Sequence, residues 1–212
     1  MRRWIVVTAL FSIISISSFS QTGRKITANE KQLFEQRMGE QLQQVKTLQC
    51  TFVQEKTSSI VIDKAVSKGI LMYQSPSLLR WEYSDPTPST LILNGNNAIL
   101  LDKNGERIGN QNMLSQLGSL VISMINGSSF MHQNKQFSSE MYETNHAEIL
   151  VVLTPIQRRL KDFYQKIELN IDPKTMLAND ITLYEKTGDK MVIILTNKAL
   201  NSEIPQNKFA IK

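Results

Sequence analysis

The sequence has little with which to carry out covalent chemistry. Its 212 residues include one cysteine and two histidines. A single thiol cannot form an intramolecular disulfide, and neither histidine has the spacing of a metal-binding motif. A glycine-rich nucleotide loop, a nucleophile elbow and a catalytic pair of carboxylates are also missing. We therefore expect no enzymatic activity, no catalytic residue, no metal site and no cofactor.

These chemically active residues have ordinary structural interpretations. Cys50 alternates with its neighbours in the segment Leu48 to Phe52, which is typical of a buried strand position. His132 and His146 lie in polar surroundings, and we interpret both as surface residues.

A long hydrophobic run is missing as well. The apolar stretch from Trp4 to Ile16 is shorter than the roughly 20 residues needed to span a bilayer. Arg2 and Arg3 precede it, and Ser18-Phe19-Ser20 supplies the small residues of a cleavage site. We interpret residues 1–20 as a signal peptide that is cleaved near Ser20. Residues 21–212 are then expected to form one domain, soluble after export.

Charge of one sign is not concentrated anywhere along the chain. The 24 Lys and Arg residues stand against 19 Asp and Glu residues, a formal net charge of +5. Loss of Arg2 and Arg3 with the signal peptide leaves 22 cationic against 19 acidic residues, or +3. The cations are scattered, so we predict no nucleic-acid interface. Weak attraction to an anionic membrane surface stays open.

The first structural signal is an amphipathic helix. Thr27 and Glu30 have the spacing of a capping box, which satisfies unpaired amides at a helix start. Apolar residues then recur at helical spacing, and the pattern predicts a helix over residues 28–46 with one apolar stripe.

After this helix the apolar period changes to two, which predicts strands. The candidates are the segment around Leu48 to Val53 and Ile60 to Ile62, Ser67 to Tyr73, Leu78 to Tyr83, Thr90 to Leu93, Ala98 to Leu101, Glu148 to Leu153, Phe163 to Ile171, Met176 to Tyr184 and Met191 to Thr196. Short turns join many of them, so we predict an antiparallel meander. The expected fold class is mainly β (α+β).

Alternation places a row of bulky apolar side chains on one face of these strands. Leu79, Trp81 and Tyr83 share one face, while Leu78, Arg80 and Glu82 share the other. Leu71 and Tyr73 on the preceding strand, and Leu91 and Leu93 two strands along, form matching rows. A half-barrel of such strands has an apolar concave side. The alternative is an ordinary core covered by a helix.

The segment that would cover this face has no Asp, Glu, Lys or Arg between Ile108 and Asn134. Its apolar residues follow helical spacing. They are Met113, Leu114, Leu117, Leu120, Val121, Met124 and Ile125. The reverse face carries Ser115, Gln116, Gly118, Ser119, Ile122 and Ser123, so it is suited to touching something other than bulk water. A movable lid, a fixed plug and a partner-binding helix all fit this pattern.

Several short motifs resemble those of the periplasmic outer-membrane lipoprotein carrier family, LolA. They are Phe52-x-Gln54-x-Lys56, Gly69-x-Leu71 leading to Pro76, Leu78-x-x-Trp81-x-Tyr83-x-x-Pro86, Leu93-Asn94-Gly95 and Leu153-Thr154-Pro155. The resemblance implies an open curved antiparallel half-barrel, with an N-terminal helix and a short lid helix over its apolar concave face. It also implies that this face holds the acyl chains of lipoproteins in the periplasm.

On these grounds we predict a lipid-binding cavity and a lid. The predicted cavity residues are Phe52, Leu71, Tyr73, Leu79, Trp81, Tyr83, Leu91 and Leu93. The predicted lid residues are Met113, Leu117, Leu120, Val121 and Met124. Trp81 falls at the family's cavity-facing tryptophan. The family's lid-fastening arginine is replaced here by Ser75, and Arg80 lies on the opposite face of its strand.

The resemblance further implies the partners of a carrier. They are lipid-modified proteins, an inner-membrane ABC lipoprotein-releasing transporter and an outer-membrane receptor. We expect transient membrane contact and a monomer.

Two other functions remain open at this stage. The half-barrel of an envelope-stress sensor or regulatory module would bind a partner protein instead, although such regulators normally carry a second domain for which this chain is short. A carrier of another amphiphile, such as a glycolipid, would use the same apolar lining.

Overall fold

The computed structural model describes residues 23–60, 63–128 and 135–211. The predicted signal peptide, Ile62 and His132 lie outside the described residues. Within the helix near position 115, the side chains of residues 111–113, 116 and 117 are also outside the description. No helix among the described residues is long and apolar enough to cross a membrane.

The described chain is built mainly from strands. The strands are β1 (Arg24–Lys25), β2 (Thr47–Thr57), β3 (Lys64–Gln74), β4 (Leu78–Asp85), β5 (Ser89–Asn94), β6 (Asn97–Leu101), β7 (Arg107–Ile108), β8 (Phe137–Glu143), β9 (Ile149–Pro155), β10 (Tyr164–Ile171), β11 (Ala178–Glu185) and β12 (Lys190–Leu200). The helices are α1 (Ala28–Leu42), α2 (Gln111–Ile125), α3 (Arg158–Phe163) and a short 3-10 helix (Gln206–Phe209).

All of these strands belong to one open, curved antiparallel sheet, which confirms the predicted fold class. Its order is β1-β8-β9-β10-β11-β12-β2-β3-β4-β5-β6-β7. Two meanders therefore meet at the pairing of β12 with β2. Helix α2 connects β7, at one edge, to β8, beside the other edge.

Helix α1 begins as predicted and ends earlier. The Thr27 hydroxyl accepts a hydrogen bond from the Glu30 backbone amide, and the Glu30 carboxylate accepts one from the Thr27 amide. The helix ends at Leu42 rather than residue 46, because the amides of Gln44 and Val45 bond to carbonyls three residues back and tighten the chain into a turn.

Several strand boundaries differ from the prediction. Ile60 lies in a bend with 90% of its surface exposed, because Ser58 and Ser59 bond to the β11–β12 turn through Asp189 and draw the segment out of the sheet. Phe163 ends α3 instead of starting β10. Met176 precedes β11 and has a positive φ of 55°, which an extended strand does not allow. Strand β8 was not predicted, because its alternation is interrupted by Ser138, Ser139 and Glu140.

The main core lies on the concave face of the sheet, where α1 and α2 add their apolar side chains to those of the strands. A smaller cluster lies on the convex face. There Ile204 and Phe209 from the C-terminal segment are buried, as are Ile92 and Ile99. The Phe209 carbonyl accepts a hydrogen bond from Asn94 at 3.2 Å, so this segment crosses β4 and β5 and is not an added strand.

Candidate functional site

A cavity of about 360 Å³ lies between the concave face of the sheet and helix α2. Its walls come from both meanders and from the helix, and they are mostly apolar. The lining residues are Gln54, Trp81, Tyr83, Ser89, Leu91, Leu100, Leu114, Leu120, Val121, Met124, Tyr164, Ile181, Leu183, Glu185, Met191 and Ile193. This volume is within the range of roughly 300–1,000 Å³ for small-molecule sites.

The apolar lining follows from strand alternation. Trp81 is the register partner of Leu91 on β5 and of Leu71 on β3. Ile181 and Ile193 are partners in the same way on β11 and β12. Partners across antiparallel strands point to the same face, so rows from both meanders meet under α2. All five of these side chains are at least nine-tenths buried.

Three aromatic rings pack together beside the cavity, and two of them, Trp81 and Tyr83, line it. Phe52 lies 5.0 Å from Trp81 and 5.1 Å from Tyr83 between ring centroids, and Trp81 and Tyr83 are stacked at 6.3 Å. Aromatic pairs at these separations stabilise each other beyond their buried area. Phe52 therefore packs against the two rings that line the cavity.

The polar lining residues lie at one end of the cavity. Two of them are at the β4–β5 turn, and two are where β10 begins and β11 ends. Tyr83 pairs in register with Ser89, and Tyr164 pairs with Glu185. These residues and Gln54 are half-buried, whereas most apolar lining residues are buried. The cavity therefore has a polar rim at this end, defined by Gln54, Tyr83, Ser89, Tyr164 and Glu185.

Burial controls the ionisation of the rim tyrosines. It raises the pKa of Tyr83 to about 12, while the neighbouring Gln54 and Trp81 side chains act in the opposite direction. Burial also raises the pKa of Tyr164, and the nearby Glu185 carboxylate raises it further. Glu185 pairs with Lys56 at 3.4 Å. The rim is thus made of neutral hydroxyl and amide groups and one paired carboxylate at neutral pH.

Helix α2 is held on the sheet by contacts on the face that was predicted to be polar. The Ser115 hydroxyl donates to the Asn96 carbonyl at 3.1 Å. A Cβ added at Gly118 would lie 3.1 Å from Leu93, so the glycine allows the helix to approach β5 closely. Ile122 is buried as well. Both faces of α2 are in use, one against the cavity and one against the sheet.

The structure divides the predicted cavity residues into two groups. Trp81, Tyr83 and Leu91 line the cavity. The remaining five are buried in the core around it without lining it. These are Phe52, Leu71, Tyr73, Leu79 and Leu93.

Of the predicted lid residues, Leu120, Val121 and Met124 line the cavity. Met113 and Leu117 belong to α2, and their side chains lie outside the described part of the chain.

The six lining residues that come from β10, β11 and β12 were not predicted. The apolar residues between Ile181 and Glu185 alternate as they do in β4. The sequence alone does not show that they face α2, because this depends on the order of the strands in the sheet. Gln54 is part of the motif Phe52-x-Gln54-x-Lys56, but it was not predicted to line the cavity. Its hydrogen bond with Tyr83 at 2.8 Å now places it on the rim.

A second, much smaller space of about 30 Å³ lies beyond the cavity under the C-terminal end of α2. Met124 borders both spaces, and Cys50 and Lys198 border the small one. Burial raises the pKa of the Cys50 thiol to about 11. The thiol is therefore protonated at neutral pH and reacts slowly with electrophiles. Within the described residues, no group of three or more His, Cys, Asp and Glu side chains could hold a metal ion.

Comparison with known protein families gives one match that spans most of the chain. The family model described as "Outer membrane lipoprotein carrier protein LolA" matches residues 43–212. The chain belongs to the LolA family. Comparison with curated protein sequences finds no match.

Solved structures resemble this LolA family member at low sequence identity. MucB is 13% identical with a TM-score of 0.51, and the alignment covers 87% of this chain and 64% of MucB. The Pseudomonas aeruginosa MucA/MucB complex gives 12% identity, a TM-score of 0.50 and coverage of 86% and 61%. The LolA superfamily protein NE2245 from Nitrosomonas europaea gives 11% identity, a TM-score of 0.45 and coverage of 84% and 97%.

The LolA resemblance implies an arginine that fastens the lid, and this chain has no arginine at that position. Ser75 occupies that position, and its amide bonds to the Lys46 carbonyl at 2.8 Å. Arg80 lies on the convex side, where it bonds to Glu82 at 2.8 Å and to the Lys208 carbonyl at 3.3 Å. In the described part of α2, Ser115 and Gly118 make close contacts with the sheet, through Asn96 and Leu93.

Proposed function

We propose that this LolA family protein is a periplasmic carrier. It binds the acyl chains of lipoproteins in the cavity under α2 and shuttles them from the inner to the outer membrane. The observation that carries the proposal is the apolar cavity of about 360 Å³ between the concave face and a helix without charged side chains.

The physical task of such a carrier is to replace a bilayer. Each buried methylene stabilises the bound state by roughly 0.8 kcal/mol, so a dozen methylenes contribute about 10 kcal/mol. Release into water is therefore negligible, and transfer depends on differences in affinity between successive hosts. Leucine, isoleucine and methionine walls provide non-directional contacts that suit this exchange.

The size of the cavity sets a condition on the cargo. A volume of 360 Å³ is near the lower end for small-molecule sites, which is little for an anchor of several acyl chains. A full lipoprotein anchor therefore requires α2 to move away from the sheet. Leu100, Val121 and Met191 are the half-buried apolar residues of the lining.

The remaining features of the proposal follow from the family and from the N-terminal sequence. Residues 1–20 act as a cleaved signal peptide, and residues 21–212 form one carrier domain in the periplasm. The carrier works as a monomer, is loaded by an inner-membrane ABC transporter and delivers to an outer-membrane receptor. Its membrane contact is transient.

The proposal is tested by binding of an acylated peptide. Trp81 and Trp4 are the two tryptophans of the chain, so Trp4→Phe leaves an emission signal that reports on the cavity alone. Titration with a diacylated peptide should shift this emission, whereas the same peptide without acyl chains should not. Absence of both a shift and a calorimetric binding signal would contradict carriage.

A matched pair of variants on α2 locates the binding. Val121→Phe places bulk in the cavity, while Ser119→Phe places it on an exposed site of the same helix. The first should lower the affinity for the diacylated peptide at least fivefold, and the second should leave it unchanged. Equal affinities would place the acyl chains elsewhere.

The fold shared with MucB favours a second candidate, a regulatory module that binds a protein partner. The chain spans 61% of MucB in the MucA/MucB complex. Capture with the immobilised protein from envelope extracts separates the two candidates. Acylated proteins favour carriage, whereas a partner without lipid favours regulation. The lipid that copurifies distinguishes lipoproteins from another amphiphile such as a glycolipid.

A further inference from the structure

Three polar groups occur together among the apolar walls of the cavity. The Tyr83 hydroxyl donates to Oε1 of Gln54 at 2.8 Å. The Trp81 side chain is close enough to Tyr83 to affect the pKa of the phenol. Trp81 and Tyr83 also stack with 6.3 Å between ring centroids. We call Gln54, Trp81 and Tyr83 the polar triad.

One member of the polar triad has an unused hydrogen-bond donor. The indole N–H of Trp81 is buried and makes no hydrogen bond of normal geometry among the described residues, although it lies close enough to the Tyr83 hydroxyl to lower the pKa of the phenol. The residue as a whole is only 5% exposed, so water has little access to it. A buried donor without a full hydrogen bond destabilises the site, and a ligand oxygen that reaches it once α2 has moved would recover that cost.

The chemistry of the triad indicates which ligand atom fits. An indole nitrogen only donates, and an amide nitrogen carries two donors that the Tyr83–Gln54 bond does not use. Both donors are neutral. They complement an uncharged acceptor without its own hydrogen, such as a carbonyl oxygen. An anionic head group would also be repelled by the Glu185 carboxylate on the same rim.

The position of the triad fixes the direction of an acyl chain. Gln54 and Tyr83 belong to the polar rim, whereas Met124 borders the small space next to Cys50, toward the opposite end of β2. Trp81, Leu91 and Ile193 lie among the apolar residues that line the cavity. A chain held by a carbonyl at the rim therefore runs under α2 toward Met124.

Resting on the proposed function, we propose that the polar triad is a carbonyl-binding subsite. It hydrogen-bonds the carbonyl oxygen of an acyl ester or amide and so orients the chain in the cavity. The protein thus distinguishes an acyl chain from an alkyl chain of the same length, which apolar walls alone cannot do.

The test compares two neutral ligands that differ in this oxygen. Monopalmitoylglycerol has an ester carbonyl, and its ether analogue hexadecylglycerol does not. Both are titrated against the full chain by displacement of a fluorescent fatty-acyl probe. One net hydrogen bond corresponds to a preference for the ester of about two- to tenfold.

The variants Tyr83→Phe and Trp81→Phe should bring this preference close to one while ether binding changes little. Tyr184→Phe is the matched control, because Tyr184 donates to Glu168 at 2.9 Å on the convex face. It should keep the wild-type preference. Thermal unfolding of each variant verifies that it is folded.

The outcomes separate this subsite from the proposed function. Equal binding of ester and ether by the wild type, or a preference that survives both triad variants, overturns the subsite and leaves carriage intact. Failure of both ligands to bind overturns the two proposals together.

Discussion

The ring of Phe52 occupies the space that a side chain at Gly69 would need. The two residues are register partners on β2 and β3. A Cβ at position 69 would lie 2.7 Å from Cζ of Phe52 and 1.9 Å from the carbonyl oxygen of Glu82. Glycine therefore lets the ring lie against the backbone of β3, where it contacts Trp81 and Tyr83.

Gly69→Ala should destabilise the protein. The added methyl group collides with a backbone carbonyl that cannot rotate away, so β3 and β4 must shift. We expect the free energy of unfolding, measured by chemical denaturation, to fall by about 1–3 kcal/mol. Ser67→Ala on the same strand is the control and should change it by less than about 0.5 kcal/mol. Equal stability of wild type and Gly69→Ala would contradict this packing.

Cys50 should report on the position of α2. It is the only cysteine in the sequence, and Met124 and Ile125 of α2 border the same small space. Gly118→Leu should push the helix away from Leu93, because even a Cβ there lies 3.1 Å from that side chain. An overpacking cost of about 1–3 kcal/mol corresponds to at least fivefold faster thiol labelling.

Labelling rates are compared at one pH, because the raised pKa of Cys50 slows the reaction in every variant. Ser119→Leu, one residue along the helix and exposed, should label at the wild-type rate. If Gly118→Leu also labels at that rate, then α2 is not what shields the thiol.

Stability should decrease in alkaline solution. The pKa of Tyr83 is raised to about 12 and that of Cys50 to about 11, in both cases chiefly by burial. Folding therefore favours the protonated forms, and their contribution is complete below the unfolded-state pKa values near 9 to 10. It is lost as the pH rises through the folded-state values. Each group contributes at most about 3 kcal/mol.

The measurement is the free energy of unfolding between pH 8 and the onset of alkaline unfolding. It should fall more steeply for the wild type than for Tyr83→Phe, which has no proton to release at this site. Identical slopes would show that Tyr83 does not titrate in this range on unfolding.

Most strands between β2 and β6 were predictable because apolar and polar side chains alternate along each of them. In β4, Trp81 and Tyr83 on one face and Arg80 and Glu82 on the other are enough to define strand and face. Strand β8 lacks this contrast, since polar side chains occupy both of its faces near Ser138. It is a strand because β9 pairs along its full length, which is long-range information.

Part of the cavity was predictable for the same reason. Trp81 and Leu91 are on the correct face from alternation alone, but alternation does not say how far from the mouth a residue lies. Leu79 points the same way and is fully buried in the core instead. The contribution of Ile181 and Ile193 depends on the pairing of β12 with β2, which joins residues more than a hundred positions apart.

Helix α2 was predictable, but the use of its second face was not. Serine and glycine at positions 115 and 118 indicated a surface that avoids charge, without showing what it touches. In the structure this surface contacts the sheet, at Asn96 and Leu93.

Because α2 is part of the connection between opposite margins of the sheet, it is tethered at both ends. Gly109 and Gly127 flank it with φ values of 81° and 76°, a backbone conformation that other residues adopt at a cost. We expect these two glycines to be the points about which the helix turns if it is displaced, while the strand pairings stay intact. If the protein carries cargo as proposed, the cargo passes beneath a helix that remains connected to the sheet through the chain at both of its ends.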